Sequence, residues 1–202
     1  MKEQDTYYSL KTQSEGLYKE KGSKFLAFAY PVNSDEEIKE KVETLKKQYY
    51  DARHHCFAFI LKPEEGREET YRANDDGEPA HSAGDPILGQ IRSQNLFDVL
   101  IVVVRYFGGT KLGVPGLIHA YKTAAADAIA HNQVVKKIIH KDLSIRFEYT
   151  VTNEVMRLIE QFQAQIKDQD FAEDCFYRLS LPRSMWKNAK EQFAQVQGVA
   201  FV

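Results

Sequence analysis

The sequence predicts an α+β protein of two domains, residues 1–137 and 138–202, and three observations carry that prediction. Val99, Leu100, Ile101, Val102, Val103 and Val104 form an uncharged, largely β-branched run that suits a strand buried on both faces. Four glycines follow it, and then Leu117, Ala120, Tyr121, Ala124 and Ala128 recur at helical spacing, so a face of mostly small residues can lie close against a sheet. The second observation is a shift in composition. Lys136, Lys137, His140 and Lys141 surround Ile138 and Ile139, which places a hinge near residue 137. Beyond the hinge the pattern is β-α-β-β-α-β, the element order of a ferredoxin-like sandwich.

Taken in order, residues 15–20 and 25–32 read as two strands of a hairpin, joined by the turn signal Lys21-Gly22-Ser23. Ser34 with Glu37 makes a capping box, and Ile38, Val42, Leu45 and Tyr49 continue at helical intervals, which predicts a helix over 35–49. Residues 54–61 are apolar and aromatic enough for a strand, 63–66 for a polar turn and 69–73 for a returning partner. A polar loop over 74–78 and a short helix over 83–93 precede the buried strand. In the second domain the expected elements are a strand at 139–149, a helix at 153–163, strands at 164–171 and 174–181, a helix at 184–195 and a short strand at 199–202. Val155, Leu158, Ile159 and Phe162 give the first of these helices an apolar face, and Ala189 with Phe193 does so more weakly for the second.

Composition narrows the function. A chain of 202 residues with 43% hydrophobic content suits one large domain or two modest ones with packed cores. The 27 basic and 29 acidic residues leave a net charge of −2, so any attraction to nucleic acid must come from a local patch. Cys56 and Cys175 lie far apart, which argues against a disulfide framework and fits a reducing compartment. The opening MKEQDTYYSL has no apolar core, and no stretch approaches the roughly twenty apolar residues of a membrane span. A soluble, cytoplasmic protein without membrane contact is expected.

Three groups of residues can carry chemistry. Gly108, Gly109, Gly113 and Gly116 lead into a helix N-terminus with Arg105 and Lys111 beside it, which suits an anion such as a phosphate. The spacing is neither GxxxxGK[ST] nor GxGxxG, and such glycines also serve the close packing of a helix on a strand. Arg53-His54-His55-Cys56 puts two imidazoles and a thiol together, yet a strand turns His54 and Cys56 to one face and His55 to the other. Without a second spaced pair of ligands the residues imply no metal site, and no cofactor is implied. The loop ANDDGEPAHSAGDP, residues 73–86, is dense in Asp75, Asp76, Glu78, His81 and Ser82. Asp76 and Glu78 can serve as an acid/base pair or hold Mg²⁺ against a bound phosphate, whereas ordinary turn chemistry accounts for Asp75-Asp76-Gly77 alone. A nucleophilic role for Ser82 or Cys56 would need a base brought close by the fold. For nucleic acid, Arg53, Arg72, Arg92, Arg105, Lys111 and Lys122 are the cations that would have to converge. Tyr106 and Phe107 are the stacking candidates, of which strand alternation commits at least one to the interior.

The blocks DARHHCFAF (51–59), NDDGEPAHSAGDPIL (74–88) and VVVRYFGGTKLGVPGL (102–117) resemble the YigZ/IMPACT family. The family's signature, a glycine, spaced aliphatics, an arginine, two aromatics, two glycines and a further Leu-Gly, is met from Gly84 through Gly113. The resemblance covers nearly the whole chain. It implies a first domain similar to the second domain of ribosomal protein S-five, and a second similar to the ferredoxin-like domains of elongation factor G. Eukaryotic members resemble this chain in the first domain only, carry an additional N-terminal RWD domain and regulate a starvation-sensing kinase of translation initiation. No such domain is present here, so that role does not transfer directly.

The leading expectation is therefore a non-enzymatic cytoplasmic protein of translation or stress regulation that binds RNA, the ribosome or a translation-associated partner. Arg53, Arg105 and Lys111 would contact phosphates, with His54, Asp76, Glu78, Gly108, Gly109, Gly113 and Gly116 completing the site. The alternative is an enzyme acting on a small phosphorylated or nucleotide ligand, with the acidic loop supplying acid/base or Mg²⁺-binding groups. A third reading uses the exposed face of the C-terminal sheet as a protein-interaction surface.

Overall fold

The computed structural model describes residues 5–63 and 69–202, so the expected turn at 63–66 falls largely outside the described residues. The chain forms a mixed α/β fold of two compact units: Tyr8–Lys136, and Lys137–Val202 together with the residues up to Tyr7. The sequence-based division kept the whole N-terminus with the first domain. Residues 5–7 go with the second, where Ile139 N–H donates to the Asp5 carbonyl and Ser184 N–H to the Asp5 carboxylate. β1 (Thr6–Leu10) and β7 (Val134–Ile138) pair as a separate two-stranded sheet. Neither was anticipated as a strand, since each is short and mixes polar with apolar residues. Of the lysines that marked a hinge, Lys136 and Lys137 are strand residues of β7 and Lys141 belongs to the strand that follows.

In the first unit, β2 (Ser14–Glu20), β3 (Ser23–Pro31), β4 (His54–Leu61), β5 (Thr70–Asn74) and β6 (Val99–Tyr106) form one sheet in the order β2-β3-β6-β4-β5. Every neighbouring pair in it is antiparallel. β6 occupies the centre, where both its faces are covered, which is why an uninterrupted apolar run rather than an alternating one is required there. On one face α1 (Asp35–Gln48) covers Phe28, Tyr30, Phe59, Leu100, Val102 and Val104. On the other, α2 (Gly84–Ser93) and α3 (Gly113–Ala130) bury Phe25, Ala27, Cys56, Ala58, Ile101 and Val103.

Local signals explain the helices. Ser34 Oγ accepts from Glu37 N–H at 3.3 Å as the capping box requires, while Glu37 reaches back to Asn33 N–H at 2.9 Å. Along α3, Ala120, Ala124, Ala125 and Ala128 are fully buried. The helix backbone lies so close to β2 that a Cβ on Gly16 would stand 2.3 Å from Ala128 N.

The second unit runs β8 (His140–Phe147), α4 (Thr152–Gln161), β9 (Gln165–Phe171), β10 (Cys175–Pro182), α5 (Arg183–Phe193) and β11 (Val199–Phe201). Its antiparallel sheet has the order β11-β8-β10-β9. Ile145, Phe147, Leu179 and Leu181 from the sheet pack with Val155, Leu158, Ala189 and Phe193 from the helices. α4 ends two residues earlier than its periodicity suggests, because Gln163 takes a positive φ of 52° that leaves the right-handed helix. Among the described residues no helix is long and apolar enough to cross a membrane.

Candidate functional site

The three sequence blocks meet at the end of the five-stranded sheet where β6 finishes. Strand register does this: Arg105 stands opposite Phe25 of β3 on one side and opposite His54 of β4 on the other. The next row along the same face carries Cys56, Val103 and Ala27. His55 turns to the α1 face, so the alternation read from the sequence holds.

Glu78 is the hub. Its carboxylate accepts from the Arg105 guanidinium and, at 2.8 Å, from the Tyr121 hydroxyl of α3, and His54 Nε2 lies 3.9 Å away. The side chains of Glu78 and Arg105 are only 4% and 8% exposed, so the pair is shielded from water on nearly all sides. The guanidinium also lies 5.4 Å from the Phe25 ring centroid and 5.7 Å from that of Phe107, both within cation–π range. Cys56 Sγ stands 3.3 Å from the Tyr121 oxygen and 3.0 Å from the Asp75 carbonyl. Burial pushes the Cys56 thiol far above its ordinary range, and burial above all does the same to the Tyr121 hydroxyl. The thiol is therefore a packed group and the phenol a neutral donor, which removes Cys56 from the nucleophile candidates.

The acidic loop is dense because it is held by its own carboxylates. Asp75 accepts from the backbone N–H groups of His81, Ala83 and Gly84 at 2.8–3.0 Å, which satisfies the start of α2 from a distance. Asp76 Oδ2 accepts from His55 N–H at 2.6 Å, while its carbonyl meets His54 Nδ1 at 2.7 Å. Asp76 and His81 both adopt positive φ, 41° and 63°, and these bonds fix that strained path. Ser82 is buried and donates to the Pro79 carbonyl. Asp75, Asp76, Glu78 and Ser82 thus all have internal work, and among the described residues no group of three or more metal-ligating side chains is found.

The glycines divide into two kinds. Gly108 is a steric requirement, since a Cβ there would lie 1.9 Å from Gly22 C and 2.1 Å from Ser23 N, and its N–H donates to Ser23 Oγ. Gly109 and Gly113 carry positive φ of 89° and 73°. α3 begins at Gly113, so Gly113 and Gly116 lie within its first turn rather than ahead of it. No side chain caps this end and no acidic residue occupies its first turn. The N–H groups of Gly113 and Val114 have no helical partner there, and Pro115 has no N–H to satisfy.

Among the cations, Arg105 is an interior partner of Glu78 rather than a surface group. Arg53, Lys111 and Lys122 are exposed. Arg53 N–H bonds the Arg105 carbonyl, which fixes Arg53 at the site. The β2–β3 turn brings two cations that the sequence reading passed over: Lys24 is opposite Tyr106, and Lys21 adjoins the Gly22 that packs on Gly108. Arg92 does not join them. It stacks on Tyr71 and pairs with Glu69, and Arg72 lies by Phe57. Tyr106 is partly buried and donates to Asp51, whereas Phe107 is 44% exposed. Tyr121 was read only as part of a packing face. The signal available was one large residue with a polar tip in a stripe of alanines.

Comparison with known proteins places this architecture. Residues 21–129, the span that contains the whole site, match the model of the Impact N-terminal domain. A crystal structure of a hypothetical protein overlays 98% of this chain and 97% of its own, with a TM-score of 0.74 and 25% identity. IMPACT family member YigZ of Escherichia coli is 31% identical over 163 residues, 80% of this chain and 79% of that protein. IMPACT family member YvyE of Bacillus subtilis is 30% identical over 169 residues, 84% of this chain and 76% of that protein. By the domain match and by these extents of identity, the chain belongs to the IMPACT family.

Proposed function

We propose that the chain regulates translation by binding the phosphate backbone of RNA, on the ribosome or on a ribosome-associated RNA, through the β6 end of its first unit. The observation that carries the reading is that register and turns put Lys21, Lys24, Arg53 and Lys111 at that end of the sheet, which also holds the uncapped and acid-free start of α3. Fixed helix N–H groups and mobile lysines together form an electropositive surface for phosphate. Exposed Phe107 adds an aromatic face on which a base can stack. Family membership supports the translational setting, because the resemblance to the IMPACT family implies a role in regulating translation. The second unit fits the same setting. Its sheet order β11-β8-β10-β9 supports a ferredoxin-like sandwich similar to elongation factor G domains, as the first unit's outline supports likeness to ribosomal protein S-five. A cytoplasmic location follows from this reading.

Arg105 serves this surface from beneath by tying the acidic loop to the sheet. The engaged carboxylates of Asp75, Asp76 and Glu78 favour binding over an enzyme of phosphorylated ligands. The test is gel-shift titration with ribosomal RNA fragments at several salt concentrations. Each of Lys21→Ala, Lys24→Ala, Arg53→Ala and Lys111→Ala should reduce the log–log salt slope by about 0.7 to 0.9. RNA binding with an unchanged slope in the quadruple variant would refute this surface.

A further inference from the structure

β9 is an edge strand of the second unit, and all 7 of its residues are exposed. Among the described residues its outward N–H and C=O groups have no strand partner, a condition that folded proteins commonly blunt or use. The register with β10 sorts its side chains. Ile166, Gln169 and Phe171 stand opposite Leu179, Tyr177 and Cys175 on the helix-covered face, and Asp168 and Asp170 stand opposite Arg178 and Phe176 on the open face. At this edge the helices cover that face only in part, leaving Ile166 36% and Phe171 52% exposed. Just ahead of β9 an open groove runs along α4, lined by Met156, Ile159 and Ala164 together with Arg157 and Glu160. In the following turn Glu173 and Asp174 add to the acidity of Asp168 and Asp170, and Lys167, Arg146 and Arg178 offset part of it.

We infer that β9 is the docking edge for an extended, basic segment of a partner protein, which adds to the sheet as a fifth strand. Main-chain bonds would supply the pairing, and alternate side chains the selection. Apolar residues at every second position would cover Ile166, Phe171 and Met156, and lysine or arginine between them would face Asp168 and Asp170. Charge argues against a second copy of this chain as the occupant. Antiparallel self-pairing with extensive overlap sets Lys167 against Lys167, Asp168 against Asp168, or Asp168 against Asp170, and like charges directly opposite are destabilising. The register shift between Arg178 and Leu179 further bends this edge away from indiscriminate pairing. Of the features that deter self-association, Asp168 and Asp170 are the ones that select a basic strand.

The experiment uses the full chain with two short, end-blocked, fluorescent peptides, one alternating lysine with valine and the other glutamate with valine. Anisotropy should show binding of the basic peptide, and amide hydrogen exchange should slow at the outward-facing N–H groups of β9. Asp168→Lys combined with Asp170→Lys, both at exposed positions, should weaken the basic peptide roughly tenfold and admit the acidic one. Equal binding of the two peptides by the wild type, or binding with no added protection in β9, would overturn the inference. So would protection of β9 that rises with protein concentration in the absence of peptide, because that outcome assigns the edge to self-association.

Discussion

Replacing Glu78 by glutamine tests whether the buried ion pair holds the site together. The amide oxygen can still accept from Tyr121, so the substitution removes charge while keeping shape and one hydrogen bond. Arg105 would then be a cation 6% exposed that has lost its carboxylate partner, and its Nε already has no hydrogen-bond partner among the described residues. Removing one member of such a pair costs about 3–5 kcal/mol, against about 0–1 kcal/mol for a solvent-screened one. With a urea m-value of about 2 kcal/mol/M, Glu78→Gln should lower the unfolding midpoint by about 2 M. Far-UV circular dichroism follows the loss, and the single tryptophan, Trp186 in α5, reports the second unit separately by fluorescence. Glu78→Leu with Arg105→Met should recover most of the loss, since a well-packed apolar pair avoids the desolvation penalty. A midpoint shift for Glu78→Gln below about 0.5 M at unchanged m would refute the reasoning and make the pair behave as a surface contact.

Two further outcomes follow from the same region. Gly108→Ala should displace the β2–β3 turn and lower the melting temperature, at a cost of about 1–3 kcal/mol or more, because its Cβ meets backbone at 1.9 Å. Gly109→Ala meets nothing within 4 Å and should cost only the about 1–2 kcal/mol of a positive φ, leaving the Gly22 and Ser23 amide resonances in place. His55 is buried with no hydrogen-bond partner for Nε2 among the described residues, and burial lowers its pKa from 6.5. The unfolded chain therefore takes up this proton first as pH falls, so the stability contributed by neutral His55 is complete above about pH 6.5 and declines below it. Comparing urea midpoints at pH 7.5 and pH 5.5, His55→Gln should show a shallower loss than the wild type, and equal slopes would exclude His55 as a source of the acid sensitivity.

Local physics made most elements legible from residue order. The apolar run of β6, the Ser34 cap, the alanine face of α3 and the βαββαβ alternation of the second unit each follow from side-chain period or capping chemistry, which act within a few residues. β1 and β7 were not legible, because neither five-residue segment has a decisive period and each is a strand only through the other. At the site, the sequence determined which residue types were available: the carboxylates of the loop, the glycines after β6, and Arg105. Tertiary structure decided their roles. Register and burial brought Arg105, Glu78 and Tyr121 within hydrogen-bonding distance, so that Arg105 became an internal counter-ion and left the surface charge to Lys21, Lys24, Arg53 and Lys111. The reason is that a guanidinium's availability to a ligand depends on what the fold places around it, and that environment comes from strands and helices distant in sequence.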